Sequence, residues 1–79
     1  MLIVYSKYNC SQCVMVKNLL KMKKIEFSEK KLGVDFQEDE MYNIIESAKG
    51  DRSFPFVFED DVYLGSLTDI KVLVSQGKL

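Results

Sequence analysis

The sequence predicts an α/β domain in which a four-stranded mixed sheet is flanked by three helices. Apolar runs of strand length alternate with amphipathic helical patterns, in the order β-α-β-α-β-β-α. Such alternation is typical of a sheet whose faces are covered by helices. The chain has 79 residues, of which 47% are hydrophobic, so we expect a single domain over residues 1–79 with enough apolar content for a core.

The first three elements are predicted to form a β-α-β unit. The continuous apolar run over residues 2–5 is typical of a buried central strand. A helix is predicted over residues 11–24, and a strand over residues 25–32, whose Glu and Lys content suits a sheet edge. We expect the two strands to be parallel and joined by a right-handed crossover. The predicted apolar face of the helix consists of Met15, Val16, Leu19, Leu20 and Met22.

A second helix and a hairpin are predicted to follow. Asp35 with Glu38 three residues later makes a capping-box-like helix start, and Gly50 is expected to end that helix. Strands over residues 56–59 and 62–64 are then joined by two aspartates, as in an antiparallel hairpin. The apolar positions of the second helix follow helical spacing at Met41, Ile44, Ile45 and Ala48.

The last helix is predicted to begin at a turn containing Gly65, with Ser66 and Asp69 as a cap pair, and to end at Gly77. Its inner face is predicted to contain Leu67, Ile70, Leu73 and Val74. In this topology the loop before Cys10 lies at the carboxyl end of a central strand, where α/β sheets usually bind ligands.

The only two cysteines of the chain form the motif Cys10-Ser11-Gln12-Cys13 at the start of the first helix. Unpaired N–H groups and the helix dipole favour a thiolate there, so the pKa of Cys10 can fall from ~8.5 to ~3.5–7.5. Cys13 lies on the same side of the first turn, within bonding reach. A disulfide closing so short a loop would stabilise the fold very little. The motif therefore predicts dithiol–disulfide exchange, with Cys10 as nucleophile and the more buried Cys13 as resolving cysteine.

Metal binding is the competing use of two cysteines at this spacing. Four-coordinate zinc needs two more ligands, and the chain has no His and no further Cys. Two thiolates can carry Cu(I), as in small copper chaperones. Those proteins usually have Met two residues before the first cysteine, where this chain has Tyr8, and their strand and helix order differs. Inert core cysteines are the third interpretation of the pair.

The charge distribution excludes some partner classes. A net charge of −1 lacks the basic excess that is typical of nucleic-acid-binding domains. Residues 1–34 hold seven Lys against two Glu, whereas residues 35–79 hold four Lys or Arg against ten Asp or Glu. Lys7 and Lys17 would make the cysteine end electropositive and attract an anionic thiol or an acidic partner, although solvated helix faces explain the same pattern. No apolar run approaches the ~20 residues of a membrane span, so we expect a cytoplasmic protein without membrane contact.

Pro55 is the only proline and stands at the start of a predicted strand. It suits that position simply because it has no N–H to donate to the sheet. Alternatively, a cis Phe54-Pro55 bond would leave the Phe54 backbone free to pair with an extended thiol substrate. The sequence leaves the isomer open.

Three segments of the chain match a known family pattern, namely residues 5–13, 50–55 and 64–69. They correspond to a Lys-x-x-Cys-x-x-Cys motif, a Thr-Val-Pro triplet with cis proline, and a Gly-Gly turn before a Ser/Asp-Asp pair at a helix start. Through these segments the chain resembles the glutaredoxins over nearly its whole length. The resemblance implies a thioredoxin-like fold, glutathione as co-substrate and no tightly bound cofactor.

The resemblance also implies a set of glutathione contacts. Lys7 would contact a carboxylate of glutathione, and the backbone of Phe54, next to Pro55, would pair with its cysteinyl unit. Thr68 and Asp69 would hold the γ-glutamyl end, because N–H groups at a helix start bind a carboxylate and Asp69 can meet the ammonium. The remaining contacts implied by the resemblance are Gln12 and Arg52.

The chain departs from the glutaredoxin pattern at several positions. Ser11-Gln12 stands where many glutaredoxins have Pro-Tyr, Ser53-Phe54 replaces Thr-Val, and Ser66 replaces the second Gly. The Cys-x-Gln-Cys motif and the short length are also similar to glutaredoxin-like redoxins, which reduce ribonucleotide reductase and draw electrons from thioredoxin reductase. Those redoxins usually carry Trp-Ser-Gly-Phe where this chain has Tyr-Leu-Gly-Ser over residues 63–66.

We therefore expect a small monomeric thiol–disulfide oxidoreductase that is reduced by glutathione. The expected protein partners are disulfide-bearing proteins, and the resemblance suggests ribonucleotide reductase as one of them. A redoxin reduced by thioredoxin reductase is the first alternative. A carrier of Cu(I), or of a [2Fe-2S] cluster shared by the Cys10 thiolates of two chains, is an alternative of another class.

Overall fold

The computed structural model describes residues 1–37, 39–40, 46 and 54–79. These residues form a four-stranded sheet in the order β2-β1-β3-β4, in which β1 and β2 are parallel and the other neighbours antiparallel. The mixed sheet is thus confirmed, with β1 in the interior and β2 at an edge. The element bounds are β1 Leu2–Ser6, α1 Ser11–Met22, β2 Phe27–Lys31, β3 Phe56–Glu59, β4 Val62–Gly65 and α2 Leu67–Ser75.

The second predicted helix lies mostly outside the described residues, and its predicted positions Glu38, Met41, Ile44, Ile45, Ala48 and Gly50 are among those not described. Its predicted start is wrong. Asp35 lies in a turn, where its N–H donates to the Lys31 carbonyl oxygen and its carboxylate accepts a hydrogen bond from the Lys31 N–H at 2.8 Å. The aspartate therefore closes the turn after β2, because the same short side chain that caps helices also bonds nearby backbone groups in turns.

The core consists of two apolar clusters whose strand residues point to opposite faces of the sheet. Alternate residues of a strand point to opposite faces, so Val4 and its partner Val57 face α1 and α2, whereas Ile3 and its partner Phe58 face the other side. Strand β3 is buried on both faces over residues 56–58, as the apolar run Phe-Val-Phe indicates. The first cluster contains Leu2, Val4, Val16, Leu20, Val57, Leu67 and Ile70, and the second contains Cys13, Phe36, Phe54, Phe56 and Phe58.

The apolar face of α1 differs from the prediction at two positions. Met15 and Met22 are 48% and 71% exposed, whereas the buried residues of the helix are Cys13, Val16 and Leu20. These three positions follow the helical period, so Cys13 contributes the first turn of the apolar stripe. The predicted apolar face left out Cys13, although Cys13 was expected to be the more buried cysteine, and included the two exposed methionines.

The turn between β4 and α2 brings Gly65 against the side chain of Asp69. Gly65 has φ of +130°, which L side chains rarely adopt, and a Cβ atom there would overlap the Asp69 carboxylate. The predicted cap pair is confirmed, since Asp69 accepts a hydrogen bond from the Ser66 N–H at 3.1 Å in a capping box. Among the ranges described, no helix has the length and apolar character needed to cross a bilayer.

Candidate active site

Cys10 and Cys13 are joined by a disulfide at the amino-terminal end of α1, with their Cα atoms 5.3 Å apart. Cys10 is the N-cap residue with extended backbone, and its Sγ accepts a hydrogen bond from the Cys13 N–H at 3.2 Å. The same N–H would stabilise a Cys10 thiolate once the disulfide is reduced. Cys13 is 1% exposed and Cys10 is half-buried, so an incoming group meets Cys10 first.

The loop before the disulfide is shaped by Asn9, which has φ of +56°. Asn is one of the few residues that adopts this left-handed conformation readily, and in this loop it turns the chain from β1 into α1. Lys7 extends from the same loop with its Nζ 5.2 Å from the centre of the Phe54 ring, a cation–π distance. Lys7 and Phe54, which the resemblance assigns to one ligand, are therefore neighbours.

The Phe54-Pro55 peptide bond is cis, which resolves the isomer that the sequence left open. Pro55 is fully buried and Phe54 is 7% exposed, with its ring 4.7 Å from that of Phe56. Cys13 belongs to the same aromatic cluster, and Cys10 packs against its edge. The loop that contains Pro55 and the disulfide therefore pack against the same aromatic cluster.

An open cleft of about 520 Å³ lies beside the disulfide. Gln12 is exposed on the first turn of α1 but does not line the cleft. Thr68 and Asp69 lie at the start of α2 and are also outside the cleft lining. Arg52 lies outside the described residues. Of the predicted site residues, the cleft thus brings together the two cysteines and Lys7. Its lining consists of Lys7, Tyr8, Asn9, Cys10, Ser11, Cys13, Val14, Lys17 and Lys31.

Sequence reasoning missed a polar cluster centred on Glu29. The Glu29 carboxylate accepts hydrogen bonds from the buried Ser6 hydroxyl at 2.6 Å and from Lys17 at 2.7 Å, and Lys31 lies 3.6 Å away. Partial burial opposes the charged form, but the hydrogen bonds from Lys17 and Ser6 outweigh it and hold the pKa of Glu29 below its ordinary value. Helical periodicity placed Lys17 on the solvent side and gave no signal for a partner 12 residues away.

The described residues contain no group of three or more His, Cys, Asp or Glu side chains placed to hold a metal ion. The donor atoms at the candidate site are the two sulfurs, which are bonded to each other. In this oxidised state neither sulfur is a thiolate, the form in which cysteine binds a metal.

The mixed sheet, the Cys-x-x-Cys disulfide at the helix start and the adjoining cis-proline loop define a protein of the thioredoxin-fold class. A family model described as Glutaredoxin matches residues 2–64. The chain belongs to the glutaredoxin family, and the resemblance found in the sequence is confirmed.

Individual relatives support the same assignment. The chain is similar to a probable glutaredoxin of Synechocystis, with 36% identity over 76 residues that cover 96% of this chain and 84% of the relative. A glutaredoxin-like protein NrdH of Lactococcus lactis is 41% identical over 61 residues, which cover 77% of this chain and 79% of the relative. The crystal structure of oxidized glutaredoxin 2 from Chlamydomonas reinhardtii matches with a TM-score of 0.75 and 33% identity, covering 99% of this chain and 74% of that one.

Other relatives are considerably longer. The chain spans about half the length of the mitochondrial glutaredoxin-2 proteins that it matches, 49% in the bovine case. Those proteins thus share one domain-sized segment with this chain.

Proposed function

We propose that this domain is a dithiol glutaredoxin that reduces protein disulfides and glutathione mixed disulfides through Cys10 and Cys13. The single observation that carries the proposal is the position of Cys10, whose half-buried sulfur borders an open cleft and accepts the Cys13 N–H at the start of α1. This arrangement provides a stabilised thiolate with access for a substrate. Cys13, buried behind it, is within bonding range to complete the exchange.

The reaction then proceeds by two exchanges. The Cys10 thiolate attacks one sulfur of the substrate disulfide, which forms a mixed disulfide and releases the other sulfur as a thiolate. The Cys13 thiolate next attacks the Cys10 sulfur, closes the Cys10–Cys13 disulfide and releases the second substrate thiolate. Two electrons have passed from the dithiol to the substrate. Two glutathione molecules restore the dithiol and leave as glutathione disulfide.

Glutathione is the proposed reductant and co-substrate, with no tightly bound cofactor. Lys7 is exposed next to Phe54 and can meet a carboxylate, while the N–H groups at the start of α2 near Thr68 suit a second carboxylate. The Asp69 carboxylate already accepts the Ser66 N–H, so its second oxygen would have to receive the ammonium. The remaining proposed contacts are Gln12, Pro55 and Arg52.

Reduction by thioredoxin reductase is the second candidate, and the 41% identity to the glutaredoxin-like protein NrdH favours it. Both candidates use the same dithiol chemistry and differ in the electron donor. The protein substrates proposed for either are disulfide-bearing proteins, with ribonucleotide reductase among them, in the cytoplasm and with the domain acting as a monomer.

A coupled assay distinguishes the two electron donors. NADPH consumption is followed with 2-hydroxyethyl disulfide as substrate, supplied either with glutathione and glutathione reductase or with thioredoxin reductase alone. We expect the glutathione system to support turnover at least about ten times faster than thioredoxin reductase. Turnover with thioredoxin reductase alone would instead assign the domain to the second candidate. The absence of turnover in both systems would contradict the proposed function itself.

A further inference from the structure

The cleft beside the disulfide is lined by three lysines, Lys7, Lys17 and Lys31, and by no carboxylate among the residues described. Lys17 and Lys31 approach the one carboxylate of Glu29 at 2.7 and 3.6 Å. Among the groups that line the cleft or pair with its ammonium groups, three ammonium groups stand against one carboxylate, a formal excess of two positive charges beside Cys10. Because the net charge of the whole chain is −1, this excess is local to the cleft.

Two of the lysines are held in place rather than free in solvent. The side chains of Lys17 and Lys31 are only 19% and 29% exposed, and the Lys31 ammonium lies 4.5 Å from the centre of the Tyr8 ring. Side chains that are already ordered lose less conformational entropy when a ligand binds. A carboxylate entering the cleft would therefore meet preorganised positive charge.

The cleft also presents apolar surface next to the same charges. Tyr8 and Val14 line it, and they are 63% and 51% exposed. A small anion would leave these side chains in water, whereas a polypeptide segment can cover them while its carboxylates meet the ammonium groups. The combination suits an acidic polypeptide segment.

We infer that this cleft docks an acidic segment that flanks the disulfide of a protein substrate. The inference rests on the proposed function and names the class of protein that the same dithiol would prefer. Phe54, Thr68 and Asp69, which the resemblance assigns to glutathione, do not line this cleft, whereas Lys7 borders both sites. Positive potential beside Cys10 would also steer acidic substrates toward it and raise their association rate at low salt.

The test measures a single turnover of the pre-reduced domain, so the result does not depend on the electron donor. The substrates are three synthetic peptides with the same intramolecular disulfide, flanked by pairs of Glu, Gln or Lys. The formation of the Cys10–Cys13 disulfide is followed by acid quench and mass spectrometry. We expect the Glu peptide to react roughly threefold to tenfold faster than the Lys peptide, the range expected for a few partly screened charge pairs. The ratio of the Glu-peptide rate to the Lys-peptide rate should approach one near ~0.5 M salt, where the Debye length is only a few ångströms.

Two variants shift the charge of the cleft in opposite directions. Lys17→Gln with Lys31→Gln removes two positive charges and should bring the ratio to within about twofold of one. Glu29→Gln removes the neutralising carboxylate, keeps an oxygen for the Ser6 hydroxyl, and should raise the ratio by about twofold to fivefold. The matched control, Lys21→Gln with Lys71→Gln, also removes two positive charges, but at exposed positions outside the cleft lining. It should leave the ratio of the two peptide rates unchanged.

The outcomes separate this inference from the proposed function. Equal rates for all three peptides, or a preference that the control variant removes as fully as the cleft variant does, would overturn the docking inference while leaving the exchange activity intact. A change in the glutathione dependence of the coupled assay, with the peptide ratio unaltered, would assign the cleft to glutathione and also overturn it. If the double lysine variant does not fold, the increase expected for Glu29→Gln still decides the question. No reaction with any peptide would contradict the proposed function.

Discussion

Replacing Cys10 with serine is expected to abolish disulfide exchange, with a loss of at least about a thousandfold in turnover. The serine oxygen can occupy the N-cap position and accept the Cys13 N–H, so the start of α1 should be retained. It cannot form the mixed disulfide, however, and Cys13 is too buried to replace Cys10 as the attacking group. The measurement is NADPH consumption in the coupled assay, with far-UV circular dichroism to establish that the variant is folded.

Cys13→Ser is the matched variant for this prediction. It removes the resolving thiol and leaves Cys10 with its access to the cleft. We expect it to accumulate mixed disulfides with protein substrates and to keep the step in which glutathione attacks a Cys10 mixed disulfide. If Cys10→Ser were active and Cys13→Ser inactive, the nucleophile would be Cys13, and the roles of the two cysteines would be reversed.

Phe56→Ala is expected to cause the largest loss of stability, about 3–5 kcal/mol in the free energy of unfolding. Phe56 is fully buried in β3, with its ring 4.7 Å from that of Phe54 in the cluster that includes Cys13. The total stability of a domain of this size is about 4–12 kcal/mol, so the variant would lose at least about a quarter of it. Urea denaturation followed by circular dichroism measures the change.

Val62→Ala on the neighbouring strand serves as the control for Phe56→Ala. Val62 is 63% exposed, so its truncation should change the free energy of unfolding by less than about 0.5 kcal/mol. The two variants are compared by urea denaturation, and the free energies are compared only if the dependence on urea concentration has the same slope. A change in that slope would signal a change in the surface that unfolding exposes. A loss below about 1 kcal/mol for Phe56→Ala would contradict the claim that the aromatic cluster packed against the disulfide stabilises the domain.

Local patterns in the sequence predicted most of the fold. The alternation of apolar runs and amphipathic segments located the four strands, and the pairing of Ser66 with Asp69 located the start of α2. Both features depend on residues within a few positions of each other, which is why they are readable from sequence alone. The position of Cys10 at the start of α1 was predicted for the same reason.

Features that depend on distant residues were not predictable. Glu29 joins Ser6 and Lys17, which lie 23 and 12 residues away. The parallel pairing of β1 with β2 brings Glu29 close to Ser6, and the position of α1 beside the sheet brings Lys17 to the same carboxylate. Asp35 illustrates the opposite error, since its carboxylate accepts a nearby backbone N–H, as that of a helix cap would, but does so in a turn. The proline isomer was open because its sequence context permits both forms.

The most direct test of the central claim is the pH dependence of cysteine alkylation in the reduced protein. Iodoacetamide reacts with thiolates, and peptide mapping separates the modification of Cys10 from that of Cys13. We predict that Cys10 is alkylated first and reaches half of its maximal rate below the ~8.5 of a free thiol, because the Cys13 N–H and the start of α1 stabilise its thiolate. Faster modification of Cys13, or half-maximal alkylation of Cys10 at or above ~8.5, would contradict the claim that Cys10 is the activated nucleophile.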